Sequence, residues 1–249
     1  MKRAIVVLLL SVGMLLVGCG DASEENIDLY MSRDYYNTLM NGLETDCSGT
    51  VNVRINVQDY GSIDLELYGD KAPITVRNFV YLAEHDFYDG LTFHRVIPGF
   101  MIQGGSTDGL GYEGSENTIK GEFSANDVDN DISHERGVIS MARTGQSKDS
   151  ASSQFFICQA DSTYLDGSYA AFGRVTDGMD VVDAISEAEC QYFCSACGNI
   201  FSSDDGICTN TSCIVHTAWT ESGTDYSNTY CEKSSPVDKI VISSVEVLG

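Results

Sequence analysis

One stretch of the chain decides the fold: FHRVIPGFMIQGG, at residues 93–105. One arginine and one glutamine stand there among large apolar side chains, ahead of two glycines. Side chains alternate between the two faces of a β-strand, and a bend at Pro98 and Gly99 resets that alternation. Arg95, Met101 and Gln103 then share one face. Taken alone, the stretch also fits an arginine paired with an acidic neighbour beside a core of phenylalanine and methionine.

Two later parts of the sequence favour a functional face formed by Arg95, Met101 and Gln103 over a simple ion pair in a core. SMAR at residues 140–143 is followed by SQFFI at residues 153–157, and then come YLDG at 164–167 and YAAFGRV at 169–175. In order and spacing, these blocks together resemble the cyclophilin family of peptidyl-prolyl cis-trans isomerases. The resemblance covers roughly residues 50–187 and a final strand within residues 236–249.

The resemblance implies a mainly β fold, a closed eight-stranded antiparallel barrel with a helix over each end. The residues themselves predict parts of it. Apolar residues alternate over 51–57 and 63–67 around a polar turn, which predicts a β-hairpin. Helical spacing follows Pro73 and recurs at about 179–185, and apolar alternation near 240–247 predicts the last strand. A barrel filled by side chains leaves its binding groove on the outside.

The implied reaction is rotation about an X-Pro bond, which breaks no bond and needs no cofactor or metal. By resemblance, Arg95 donates a hydrogen bond to the nitrogen region of the twisted amide, Gln103 holds a substrate carbonyl, and His94 is a structural neighbour. The resemblance assigns catalysis to Arg95, Gln103 and Phe100, and substrate binding to Met101, Ala142, Arg143, Phe156, Tyr164, Leu165 and Tyr169.

Two positions depart from the commonest family pattern. Tyr164 stands where many members carry tryptophan, and Tyr169 stands where many carry histidine. We therefore expect isomerase activity to persist while cyclosporin-type inhibitors bind more weakly. The same two changes support an alternative function, a module that binds proline-containing segments with little turnover and recruits partners through its cysteine-rich insertion.

Charge and length restrict the partners. The 249 residues carry 14 Lys+Arg against 37 Asp+Glu, a formal net charge of -23. Such an acidic chain repels phosphate groups, so nucleic acid is excluded as a partner. The expected partners are unfolded or exported polypeptides that contain X-Pro bonds, and we expect the protein to be a monomer.

The first residues predict export and a lipid anchor. A short basic segment precedes an apolar run at residues 4–17, which is too short for a comfortable membrane span. LVGC at residues 16–19 resembles the bacterial lipobox, which implies a lipoprotein signal peptide over 1–18 and lipidation, including palmitate, at Cys19. Residues 19–49 then form a lipidated tether on the extracytoplasmic face of the cell membrane. An ordinary secretory peptide and an uncleaved anchor are the alternatives.

A cysteine-rich insertion, residues 188–235, separates the predicted cyclophilin-like segments 50–187 and 236–249. CSACG at residues 194–198 looks like a zinc-ribbon knuckle, and a second cysteine pair follows. Four thiolates are able to bind one tetrahedral Zn²⁺. Disulfides, including one from Cys190 to Cys231 that staples the base of the insertion, are the alternative in an oxidising compartment, and free thiols are the third. The candidate metal ligands are Cys194, Cys197, Cys208 and Cys213.

Overall fold

The computed structural model describes residues 32–41, 43, 45–202 and 231–248. Three α-helices and eleven strands lie in this part of the chain. In chain order they are α1 (Arg33–Asn41), β1 (Thr50–Val57), β2 (Gly61–Tyr68), α2 (Pro73–Glu84), β3 (Thr92–Ile97), β4 (Met101–Ser106), β5 (Val138–Met141), β6 (Phe155–Cys158), β7 (Ala171–Asp177), α3 (Met179–Ser186), β8 (Cys190–Cys194), β9 (Ile200–Phe201), β10 (Cys231–Pro236) and β11 (Ile240–Leu248).

Eight strands close into an antiparallel barrel in the order β1-β11-β3-β4-β6-β5-β7-β2, which confirms the predicted fold class. β1 and β2 form the predicted hairpin and pair over their full length. Every second residue of β1 from Val51 to Val57 is buried, as are Ile63, Leu65 and Leu67 of β2. One alternating apolar face therefore fills the barrel while the other faces outward.

Helices α2 and α3 lie close to their predicted positions. Pro73 occupies the first turn of α2, where its missing N–H leaves no hydrogen bond unmade. Phe79 of α2 reaches the barrel core, its ring centroid 5.5 Å from that of Phe155. The carboxylate of Glu122 accepts hydrogen bonds from the backbone N–H groups of Ile74 (3.1 Å) and Thr75 (2.7 Å) at the start of the helix. These bonds satisfy donors that a helix N-terminus leaves without partners.

Helix α1 lies inside the segment predicted as a tether. It packs against α2, and Tyr35 and Leu39 are buried in the main core. The Tyr35 hydroxyl donates a 2.6 Å hydrogen bond to Asn78 Oδ1 on α2. Cys47, which lies between α1 and β1, is also buried, and burial raises the pKa of its thiol to about 11. The predicted domain boundaries stay predictions.

The described part of the insertion forms its own sheet, in the order β10-β8-β9. Its register places Cys231 opposite Cys194 and Pro236 opposite Cys190. Cys190 and Cys231 therefore lie at opposite ends of the β8–β10 pair. Four residues along the strand correspond to about 13 Å, which is well beyond the span of a disulfide. Cys190 is a free thiol, so the predicted Cys190–Cys231 staple is wrong.

The N-terminal predictions lie outside the described residues. These include the signal peptide and the lipidation site Cys19. Within the described ranges, none of the helices has both the length and the apolar character needed to cross a membrane.

Candidate active site

Strands β3 and β4 form a hairpin that brings Arg95 opposite Gln103. The residue pattern predicts one bent strand; the chain instead reverses direction through a turn at Gly99, whose φ of +75° suits glycine. The prediction that Arg95, Met101 and Gln103 share one face is confirmed, although a hairpin and not a bent strand brings them together. Arg95 Nη1 lies 3.3 Å from Gln103 Oε1 and 3.9 Å from Met101 Sδ.

Beside this hairpin is a small external pocket with a volume of about 150 Å³. Its floor is apolar: Met101, Phe156 and Leu165 are buried and form a cluster separate from the barrel core. Cys158 belongs to the same cluster, and burial raises the pKa of its thiol to about 12. The pocket is lined by Arg95, Phe100, Met101, Gln103, Ala142, Arg143, Phe156, Leu165 and Tyr169.

Nine of the ten predicted site residues therefore meet in one pocket, and Tyr164 lies at its margin. The Tyr164 side chain is 71% exposed, and its ring centroid is 5.9 Å from that of Phe100. Tyr169 stands edge-on to Phe156 at 6.0 Å, and the Arg143 guanidinium lies 4.7 Å from the Tyr169 ring centroid. Backbone oxygens fix Arg143 further, since its Nε donates to Ser168 O at 2.9 Å.

Gln154 is a site residue that sequence analysis missed. Its Oε1 accepts a 3.0 Å hydrogen bond from Gln103 Nε2, and its own Nε2 donates to the backbone oxygens of Gly111 and Glu113. The amide of Gln103 is thereby oriented, with Oε1 toward Arg95. Gln154 lay inside a quoted motif, but spacing alone does not show which polar side chain contacts Gln103.

Beneath Phe156, the exposed Asp166 is linked to the buried side chains of His134 and Ser140. Asp166 Oδ1 lies 2.8 Å from His134 Nδ1, and His134 Nε2 lies 3.0 Å from Ser140 Oγ. Because an ionised carboxylate only accepts hydrogen bonds, Nδ1 carries the proton and the serine hydroxyl donates to Nε2. Ser140 is completely buried, so it cannot attack a substrate. These three linked residues instead support Phe156, whose ring stacks on His134 at 6.0 Å.

An acidic residue from the insertion contacts the predicted catalytic arginine. Glu232 on β10 forms two short ion-pair hydrogen bonds with Arg95, from Nε to Oε2 (2.7 Å) and from Nη2 to Oε1 (3.0 Å). Both interpretations of the sequence are therefore correct: Arg95 lines the pocket, and it also pairs with an acidic residue. That neighbour is 137 positions away along the chain, beyond the reach of any motif.

The predicted knuckle has the expected backbone turn. Gly198 N donates to Cys194 O at 2.8 Å, Cys194 N donates to Asn199 O at 2.9 Å, and Gly198 adopts a φ of +70°. Cys208 and Cys213 lie outside the described residues. Within the ranges that the structure describes, no three potential metal ligands come together.

An external apolar pocket bordered by an arginine and a glutamine, on a closed antiparallel barrel, defines a cyclophilin-like protein. Residues 52–199 match the family described as "Cyclophilin type peptidyl-prolyl cis-trans isomerase/CLD". The chain belongs to this family of peptidyl-prolyl cis-trans isomerases and is an enzyme of that type. Its catalysis needs no cofactor.

Several relatives support this membership. The peptidyl-prolyl cis-trans isomerase of Acinetobacter baylyi is 41% identical over 158 residues, which cover 59% of this chain and 79% of that protein. Peptidyl-prolyl cis-trans isomerase B of Bacillus subtilis is 45% identical over 133 residues, covering 53% of this chain and 89% of that protein. A cyclophilin type isomerase from Cryptosporidium parvum shares the fold, with a TM-score of 0.58 at 24% identity over 80% of this chain and 98% of that chain.

Proposed function

We propose that this enzyme isomerises X-Pro bonds in exported polypeptides and so assists their folding on the outer face of a membrane. One observation carries the catalytic part: the guanidinium of Arg95 borders a small apolar pocket that suits a proline ring. A related fold from Cryptosporidium parvum was determined in the presence of the dipeptide Ala-Pro, which supports a proline-containing peptide as the ligand.

The chemistry required is stabilisation of a twisted amide. Resonance in the amide sets a rotational barrier of about 18–20 kcal/mol, and twisting returns the lone pair to the proline nitrogen. Arg95 Nη1 donates a hydrogen bond toward that nitrogen and so stabilises the twisted form more than the planar one. An arginine suits this role because its guanidinium is always charged and presents several donors in a fixed geometry.

The remaining pocket residues hold the substrate while it twists. The apolar floor of Met101, Phe156 and Leu165 grips the proline ring and keeps water from it. Gln103 uses one N–H of its amide for Gln154, and its second N–H holds a substrate carbonyl. The apolar floor fixes the proline ring on one side of the X-Pro bond, and Gln103 fixes a carbonyl on the other side. Rotation is therefore confined to the X-Pro bond.

The test is a protease-free isomerisation assay on X-Pro peptides with the full chain in detergent. Arg95→Ala removes a charged hydrogen bond, and kcat/KM should fall about ten- to a hundredfold. Arg54→Ala is the matched control because Arg54 makes a similar paired contact with Asp64, at 2.6 and 2.7 Å, and does not line the pocket. Peptide binding without acceleration, equal in wild type and Arg95→Ala, would establish the binding module instead.

The location rests on the sequence at residues 1–19. An apolar run that ends in a lipobox-like LVGC supports a lipid anchor at Cys19 on the extracytoplasmic face. Cell fractionation tests this proposal: the wild-type chain should be found with membranes, and Cys19→Ala should change its processing. An equal distribution and equal mass of the two chains would contradict it.

For the insertion, we propose a structural zinc ion held by Cys194, Cys197, Cys208 and Cys213. The tight turn at Gly198 supports this, because knuckles of this kind direct two thiolates toward one ion. Metal analysis of protein purified under reducing conditions should find one zinc per chain, lost in Cys197→Ser. Disulfides detected by mass spectrometry in metal-free protein would favour the alternative.

A further inference from the structure

The insertion contributes a side chain to the catalytic arginine. Strand β10 packs against β3, the strand that carries Arg95, and Glu232 extends from β10 to the guanidinium. Two oxygens of one carboxylate receive hydrogen bonds from two nitrogens of one guanidinium, at 2.7 and 3.0 Å. This paired geometry fixes both the direction and the rotation of the planar group.

The carboxylate and the pocket use different parts of the guanidinium. Glu232 binds Nε and Nη2, whereas Nη1 is directed to Gln103 and Met101, which line the pocket. Glu232 is not one of the pocket-lining residues. The ion pair therefore leaves the nitrogen that acts on the substrate accessible, and it does not fill the place of the proline ring.

Arg95 has little else to hold it. Its other contacts among the described residues are the 3.3 Å contact with Gln103, a weak 3.9 Å contact with the Met101 sulfur and the Phe100 ring, whose centroid lies 5.9 Å from the guanidinium carbon. A long arginine side chain loses considerable rotamer freedom when it is fixed in one orientation. Glu232 makes that orientation the resting state, which is the preorganisation on which electrostatic catalysis depends.

A carboxylate also reduces the positive potential of its partner, so the two effects oppose each other. The side chains of Arg95 and Glu232 are 34% and 44% exposed, and water screens a charge at that level of exposure. Screening weakens the neutralising effect of Glu232 but leaves the hydrogen-bond geometry intact. Orientation is therefore the larger effect at this site.

We propose that Glu232 is a positioning residue for the isomerase reaction, supplied by the cysteine-rich insertion and acting through Arg95. The proposal rests on the proposed function, in which Arg95 Nη1 acts on the twisted amide. It makes the insertion part of the active site and predicts that the reaction depends on a residue outside the cyclophilin motifs.

Kinetics of the full chain test the proposal. In Glu232→Gln and Glu232→Ala, kcat should fall about fivefold with KM unchanged, and Glu232→Asp should recover part of the loss because it keeps both carboxylate oxygens. In the Arg95→Ala background, Glu232→Ala should cause no further loss, since it acts through the missing group. Asp64→Asn, which breaks the similar pair with Arg54, is the matched control and should leave kcat unchanged.

A spectroscopic measurement separates this proposal from the proposed function. The Arg95 Nε–Hε signal, assigned by its loss in Arg95→Ala, should exchange slowly with solvent in the wild-type protein and rapidly in Glu232→Gln. Slow exchange in the wild type together with unchanged activity in Arg95→Ala would contradict the catalytic role of Arg95 in the proposed function, and it would leave Glu232 as a residue that fixes Arg95 without affecting the reaction. Equal exchange in the two proteins, a faster Glu232→Gln enzyme, or an equal loss in the Arg95→Ala background would overturn the role of Glu232.

Discussion

At the scale of single residues, His94 and His134 are the side chains whose charge the fold suppresses most clearly. Both are buried, and burial lowers the pKa of each ring, to about 4 for His94. In the unfolded chain each ring titrates near 6.5. Below that pH the unfolded state takes up protons that the folded state does not, so acid favours unfolding.

The sign of this effect gives a pH prediction. As pH falls from 6.5 toward 4, the free energy of unfolding should decrease by roughly 3 kcal/mol on account of His94 alone, and His134 acts in the same direction. Urea unfolding at several pH values between 7 and 4 measures this decrease, and His94→Gln should flatten the dependence. Burial raises the pKa of Glu122, which opposes the trend, so Glu122→Gln should steepen it. A slope identical in wild type and His94→Gln would contradict the prediction.

Individual residues also show which parts of the site could be predicted from sequence motifs and which could not. Arg95, Gln103 and Phe156 could be predicted because they lie inside blocks whose order and spacing resemble one family. Gln154 and Glu232 could not, because their roles depend on which side chains face each other across strands. A hydrogen bond between partners 51 or 137 positions apart leaves no periodic signal in the sequence.

At the scale of elements, α1 differs most from the expectation. It lies in a polar and acidic segment that suggests a solvated tether, yet one narrow stripe of the helix, Tyr35 and Leu39, is completely or almost completely buried. Tyr35 meets the Tyr81 ring of α2 edge-on at 5.9 Å. A short amphipathic helix has the same sequence pattern whether it packs against a domain or stays in water. Whether α1 packs therefore depends on the face that α2 offers to it. The β1–β2 hairpin was predictable because both of its strands carry their own alternating pattern.

The docking of α1 has a measurable consequence. Leu39→Ala removes a fully buried side chain, and the free energy of unfolding should decrease by about 2–4 kcal/mol while kcat of the folded enzyme stays unchanged. Chemical denaturation with the isomerisation assay alongside measures both quantities. Asn37→Ala, at an exposed position of the same helix, is the control and should have little effect. If Leu39→Ala unfolds at the wild-type denaturant concentration, α1 is a tether after all.

At the scale of the whole molecule, the described part of the insertion and the barrel have separate apolar cores. Cys194, Phe201 and Cys231 pack with Tyr192 in a small cluster of their own, whereas the barrel core contains nearly all the remaining buried apolar side chains. A cavity of about 370 Å³ lies between the two parts, lined in part by Phe93 of the barrel and by insertion residues. Among the described residues the two parts share few apolar contacts, and we expect the barrel to be stable without the insertion.

The insertion also begins and ends at one point on the barrel. Val237 N donates a 2.8 Å hydrogen bond to Glu189 O, so the chain leaves and returns through neighbouring residues. The sequence showed that the insertion interrupts the domain, because apolar alternation resumes after it. It did not show where the insertion docks, since the β10–β3 contact joins segments more than a hundred residues apart.

The separate apolar cores and the adjacent ends of the insertion lead to the last prediction. Replacing residues 190–236 with two glycines should leave a barrel that unfolds cooperatively, because the ends to be joined are already adjacent and the main core is retained. The shortened enzyme should keep its peptide KM but lose about fivefold in kcat, matching Glu232→Gln, because the same support of Arg95 is absent. Steady-state kinetics on both proteins, with circular dichroism as the check on folding, measure this. A shortened enzyme as fast as wild type would show that Arg95 is held without the insertion, whereas a barrel that no longer folds would show that the two cores depend on each other.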